Sequence, residues 1–128
     1  MKKLALLLFA VSLISCEGVV EPNSLTTHIE GTVTDLEDGS ALRNVTVYIF
    51  KKKTEYDGQY FYERVGKKLK QILSDEQGFY SLSFEIQEGT PYYVGAERFD
   101  YRKTDVRFAP SVKYESSQRI DIQLRKKS

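Results

Sequence analysis

From His28 onward the chain alternates apolar and polar residues at period two, in short runs separated by turn residues. Period two puts successive side chains on opposite faces of an extended backbone, so each run can bury one face and wet the other. No stretch of ten or more residues carries an apolar stripe at helical spacing. The pattern therefore dictates strands, and the spacing of the turns sets how many.

The first run, His28 to Thr34, places Ile29, Gly31 and Val33 on one face, and the DLEDGS segment 35–40 turns the chain. Asn44 to Lys52 follows, with Val45, Val47 and Ile49 on one face and Thr46, Tyr48 and Phe50 on the other. Asp57-Gly58 supplies a hairpin tip, because both residue types tolerate positive φ. Gln59 to Arg64 returns, Gly66 is expected to break it, and Lys68 to Leu73 is read as a separate short strand with Leu69 and Leu73 inward. Asp75-Glu76-Gln77-Gly78 turns into Phe79–Ile86, where Tyr80, Leu82, Phe84 and Ile86 share a face. Past Glu88-Gly89, Pro91 to Glu97 aligns Tyr92, Val94 and Ala96. A weaker strand is expected over Thr104–Ala109, with Val106 and Phe108, and Arg119–Arg125 closes the set with Ile120, Ile122 and Leu124. Seven or eight short strands with frequent turns predict an all-β, antiparallel sandwich. The 51–72 stretch reads as an extended hairpin insertion.

The start of the chain follows a different rule. Lys2 and Lys3 precede an apolar run from Leu4 to Ile14, interrupted only by Ser12. Eleven residues fall short of the roughly twenty a spanning helix needs, so the run reads as a targeting segment. It ends in Leu13-Ile14-Ser15-Cys16, which resembles the lipobox of bacterial lipoproteins. The resemblance implies cleavage before Cys16 and a lipid, palmitate included, on its sulfur and new N-terminus. Cys16 is the sole cysteine, so no internal disulfide can form. The expected organisation is a signal peptide over 1–15, a lipidated tether over 16–27 and one domain over 28–128. Glu17 is not the aspartate linked to inner-membrane retention, which favours the outer membrane, and Gly18-Val19-Val20 follows it where a surface-export signal would carry an acidic run, which favours a periplasm-facing domain.

Four segments inside the domain resemble the carboxypeptidase-regulatory-like family, a transthyretin-like (prealbumin-like) sandwich of Ig-like architecture. They are Ile29-Glu-Gly-Thr-Val-Thr-Asp35, Gly39-Ser-Ala-Leu-Arg-Asn-Val-Thr-Val47, Ser74-Asp-Glu-Gln-Gly-Phe-Tyr-Ser-Leu82 and Tyr92-Tyr-Val-Gly-Ala96. Phe99-Asp100-Tyr101 departs from the family's Gly-Tyr at that place. Gly31 and Gly78 are read as positions where a side chain would crowd a close backbone approach. The resemblance implies an accessory, spacer or binding module without catalysis of its own.

Chemistry-bearing residues are few. His28 is the only histidine and is expected to face solvent; no His/Cys pair or zinc-protease motif exists, so neither an enzyme nor a cofactor is expected. Asp35, Glu37 and Asp38 form an acidic turn, yet its spacing matches no EF-hand loop and no metal is expected. Without Lys2 and Lys3 the chain holds 17 basic against 18 acidic residues, a balance that offers nucleic acid no electrostatic footprint. One surface stands out. Tyr56, Tyr60 and Tyr62, with Phe61, surround Asp57-Gly58 and are flanked by Lys51, Lys52, Lys53, Lys67, Lys68 and Lys70. Tyr60 and Tyr62 share one face and Phe61 takes the other, so both faces cannot be equally buried. Exposed, these rings suit a protein or glycan partner in the envelope, and the lysines suit anionic headgroups. Buried, they would cover the sandwich while the lysines guard an edge strand. The expected role is a lipid-anchored envelope module that binds or positions a partner; the alternative is a spacer or stabilising subunit without a ligand.

Overall fold

The computed structural model describes residues 23–128. The segments expected to be a signal peptide and a tether, with Cys16 between them, lie outside the described residues up to residue 22. The strands are β1 (Ser24–Asp35), β2 (Thr46–Tyr56), β3 (Phe61–Leu73), β4 (Phe79–Gln87), β5 (Tyr93–Glu97), β6 (Ser117–Arg119) and β7 (Ile122–Leu124). They form two sheets, one ordered β4-β1-β6 with β7 also on β1, the other β3-β2-β5. The inner faces bury one core, including Ile29, Val33, Val45, Val47, Ile49, Tyr80, Leu82, Ile86, Val94, Ile122 and Leu124. These are the residues that the alternation places on one face of each run. The molecule is thus the expected all-β sandwich.

Four details differ from the pattern-based expectation. β1 begins at Ser24, four residues before His28, because it pairs with the far end of β4 through Ser24 and Gln87. β3 runs unbroken through Gly66, where a Cβ would lie 2.6 Å from the Lys51 carbonyl oxygen. The β2–β3 register shifts there, between Ile49 and Lys52, so Gly66 marks a bulge rather than a break. Leu73, expected inward, is 57% exposed at the end of β3. Thr104–Ala109 is no strand: Val106–Phe108 forms a 3-10 turn capped by Asp105, and Phe108 is exposed. Two apolar residues at period two were too short a run to decide the matter.

The closing strand also splits. β6 and β7 both run parallel to β1, and the chain between them steps over Gly31. A Cβ on Gly31 would stand 1.9 Å from the Ile120 carbonyl oxygen and 3.1 Å from the Tyr80 ring. Gly31 and Tyr80 are direct register partners. With no side chain between them, the Tyr80 ring crosses β1, and its hydroxyl donates to the Ile120 carbonyl at 2.5 Å. The other sheet repeats the device on its outer face. Gly95 pairs with Tyr48, and a Cβ on Gly95 would meet that ring at 2.6 Å. Both Gly78, at φ +74°, and Gly31 therefore sit where close backbone approach forbids a side chain, as the motif reading expects.

Ser74, just after β3, ties down the segment that connects β1 to β2. It is buried, its Oγ accepts the Val45 N–H at 3.0 Å and it donates to the Leu42 carbonyl at 2.7 Å. Ser74→Ala would strand a buried donor and a buried acceptor, and urea unfolding should show a loss of about 1–3 kcal/mol. A loss within experimental error would mean that these two groups find other partners.

Candidate functional site

Four exposed aromatics, Tyr56, Tyr60, Phe61 and Tyr62, gather on the β2–β3 hairpin, while Phe99, Phe108 and Tyr114 are exposed elsewhere. The hairpin turn is built by Asp57, whose carboxylate accepts the N–H groups of Tyr60 at 2.8 Å and Gln59 at 2.9 Å. Those two bonds hold the Asp57 carboxyl below its ordinary range. Gly58 takes φ +97°, a conformation that side chains disfavour. Tyr56 and Phe61 then face each other across the hairpin as the last register pair, with ring centroids 4.7 Å apart.

The stem is locked by charge. Glu55 accepts from Arg64 at 3.0 Å and from the Tyr62 hydroxyl at 3.0 Å, and Lys53 lies 3.3 Å away. Arg64 first, then Tyr62 and Lys53, hold the Glu55 carboxyl below the usual carboxylate range. Lys52 pairs with Glu63 at 3.4 Å on the same stem. Such exposed pairs contribute little stability each, but they order the hairpin. On one flank the 3-10 turn leans against it, leaving a groove of about 690 Å³ lined by Thr54, Phe61, Tyr62, Arg64, Val106 and Arg107.

The structure brings the three expected tyrosines together and leaves them in solvent. Tyr56 is 58% exposed, Tyr60 65% and Tyr62 43%. Tyr62 is the least free, since its hydroxyl is committed to Glu55. Phe61, at 75%, is the most exposed ring at the tip and packs on Tyr56. Sequence reasoning passed it over because period two set Phe61 on the opposite face from Tyr60 and Tyr62. At a hairpin tip beyond the sandwich both faces are wet, so the alternation loses its meaning there.

The other residues singled out by the sequence take structural posts. His28 points outward between Ser81 and Ser83, with Glu30 at 4.0 Å. Asp35 is buried and its carboxylate is occupied: it accepts the N–H groups of Glu37 and Asp38 and the Tyr101 hydroxyl, the last at 2.5 Å. Tyr101 first, then the Glu37 N–H, hold that carboxyl below its usual value. Asp35 is therefore the brace of its turn, and Tyr101 is its partner. Among the described residues no group of three histidine, cysteine or acidic side chains converges as a metal cage would. Nor is any helix among them long and apolar enough to cross a membrane.

What the geometry defines is a two-sheet β-sandwich bearing a stiff aromatic hairpin. Solved structures share that sandwich. The C-terminal domain of the shaft pilin SpaA from Lactobacillus rhamnosus GG superposes with a TM-score of 0.53 at 15% identity, over 80% of this chain and 98% of that domain. The Bacillus anthracis TIE protein gives 0.55 at 16% identity, over 80% of this chain and 17% of its own. The group B streptococcus pilus 2b backbone protein gives 0.50 at 8% identity, over 78% and 41%. This chain thus spans a whole domain of the shaft pilin but less than half of the longer two proteins. At such identities the likeness is one of fold. By sequence, no protein family and no curated protein matches.

Proposed function

We propose that this chain is a lipid-anchored, non-catalytic module of the cell envelope. Lipid on Cys16 holds it to a membrane, the sandwich is its rigid body, and the hairpin carrying Tyr56, Tyr60, Phe61 and Tyr62 is its contact surface. The module binds or positions an envelope partner, protein or glycan. The outer membrane, with the domain facing the periplasm, is the favoured site.

The observation that carries this reading is the hairpin. Four large rings held in water by an ordered turn and a charged stem are not covering a core, and an exposed aromatic cluster of this kind marks a contact site. The lipobox supports the anchor. The pilin domains that share the fold lend support to a structural or assembly role. The bonded carboxylates serve the fold: Asp35 braces a turn and Glu55 a stem.

Replacing Cys16 by Ala should abolish fatty-acid labelling and release the protein from membranes; a chain that stays labelled and membrane-bound would sink the anchor. Replacing Tyr56, Tyr60 and Tyr62 by Ala together should leave the melting temperature within about 3 °C, since exposed positions rarely shift stability by more than about 0.5 kcal/mol. A larger fall would return these rings to the core. Cross-linking on membranes followed by recovery of the chain should yield a reproducible envelope component, and none would count against the module.

A further inference from the structure

We propose that the β2–β3 hairpin rests on the same lipid surface to which Cys16 anchors the chain, with its tip rings at headgroup level and its lysines against anionic phosphates. This rests on the lipid anchor proposed above, and it assigns the hairpin to the lipid surface in place of a protein or glycan, leaving the module to position its partner by another face.

The topology supplies the first argument. The chain reaches the sandwich at Asn23, whose carbonyl accepts the Glu88 N–H at 2.9 Å and whose side chain meets the Glu88 carboxylate at 3.0 Å. That end of the sandwich holds the start of β1, the end of β4 and, after the short 88–92 loop, the start of β5. β2 runs toward the same end, because Thr46 pairs with Glu97 and Phe50 with Tyr93. It then outlasts β5 by six residues, Lys51 to Tyr56, about 20 Å of strand. The hairpin and the chain's arrival from Cys16 thus share one end of the molecule. Eight residue steps separate Cys16 from Ser24, a span of at most about 29 Å when fully extended. A tether that short keeps this end of the sandwich near the lipid.

Charge supplies the second argument. Between Lys51 and Lys70 stand seven basic residues against three acidic ones, while the rest of residues 23–128 holds ten basic against thirteen acidic. The three acids of the hairpin are all engaged, Asp57 by its turn, Glu55 by Arg64, Tyr62 and Lys53, and Glu63 by Lys52. Lys51 and Lys67 are exposed and have no carboxylate partner among the described residues. The positive field therefore concentrates on the part of the sandwich nearest the anchor, where an anionic leaflet attracts it. The tip chemistry agrees. Tyrosine rings with one wet edge favour the membrane–water boundary, and Phe61 and Tyr56 offer the apolar part. Those two rings pack on each other rather than lie side by side, a poor platform for a sugar ring.

The test uses the full lipidated chain in phosphatidylcholine vesicles with and without phosphatidylglycerol. Gln59→Cys at the tip and Glu76→Cys at the opposite end each provide one free thiol, since the Cys16 sulfur is alkylated. Each is labelled with an environment-sensitive fluorophore and challenged with headgroup-region spin-labelled lipid. The tip probe should lose roughly half its emission, more with phosphatidylglycerol present, and the Glu76 probe should not change. Lys51→Gln with Lys67→Gln should remove the phosphatidylglycerol dependence. If the chain floats with the vesicles yet both probes stay bright, the hairpin faces water and a protein or glycan contact replaces lipid. If the chain fails to float, the anchor itself is wrong and this placement falls with it.

Discussion

Gly31→Ala should unfold this domain or cost it about 3 kcal/mol or more, because the new methyl would have to occupy the position of a backbone oxygen. The Ile120 carbonyl lies 1.9 Å from that site, and it is not free to move. It accepts the Tyr80 hydroxyl, and the Ile120 N–H donates to the Glu30 carbonyl at 2.9 Å. Asp121, the next residue, accepts the Thr32 N–H at 2.9 Å. The step between β6 and β7 is thus bonded to β1 on both sides of Gly31. Removing the Tyr80 hydroxyl should bring no relief, because the Glu30 and Thr32 bonds still hold the step in place, so Gly31→Ala combined with Tyr80→Phe should be no more stable than Gly31→Ala alone. Gly39→Ala serves as the comparison: φ is +74° there but the space is open, and the cost should stay near about 1–2 kcal/mol. Chemical denaturation of the three variants decides it. Equal costs at positions 31 and 39 would remove the Ile120 carbonyl from its place over Gly31.

Above pH 10 the domain should lose stability steeply and unfold by about pH 12. Tyr48, Tyr80 and Tyr101 are among the buried tyrosines, and the Tyr80 and Tyr101 hydroxyls are bonded inside the fold. Burial, with Glu97 nearby, pushes Tyr48 up to about 12. The hydrogen bond to Asp35 and burial push Tyr101 up to about 12. Burial raises Tyr80 as well. Each folded-state value lies above the unfolded one near 10, so the folded state holds these protons more tightly. The stabilisation is therefore complete below pH 10 and is lost as pH rises through about 12. Asp35 acts at the other end of the scale. Its carboxyl is held low, so its contribution is present above the ordinary aspartate range and is lost as pH falls below it. Tyr101→Phe removes one hydrogen bond that serves both limits, and it should flatten stability against pH in both directions. Absorbance of tyrosinate at alkaline pH, followed together with circular dichroism, checks the first claim. Buried tyrosines that ionise while the sandwich stays folded would refute it.

Much of the sandwich is legible in the residue order. Ile29 with Val33, Val47 with Ile49, and Leu82 with Ile86 alternate with polar neighbours, and each pair is buried as that alternation requires. The pattern fails where burial has another source. Tyr48 and Phe50 lie on the outer face of β2, yet both are 1% exposed. Lys68 covers the Tyr48 ring at 4.4 Å, and Tyr93 packs against Phe50 at 5.8 Å. Lysine stems and aromatic neighbours supply that cover, and both look polar or ambiguous in a hydrophobic pattern. The hairpin site was half legible. Its aromatic composition and its Asp-Gly turn stand in the sequence, but whether the rings are wet depends on how far β2 runs past its partner.

The sequence by itself determined strands rather than helices, the identity of most core residues, the turns at Asp57-Gly58 and Asp75–Gly78, and the two glycines that a side chain would obstruct. These are local properties, set by side-chain period and by backbone freedom within a few residues. The tertiary structure alone decided the rest. That β6 and β7 run parallel to β1, that Asp35 braces a turn through Tyr101 instead of joining an acidic cluster, and that the hairpin lies at the end where the chain arrives from Cys16 all depend on contacts between residues far apart in the chain. Alternation carries no record of strand direction or of which end meets which, because a strand's two faces look the same read forward or backward.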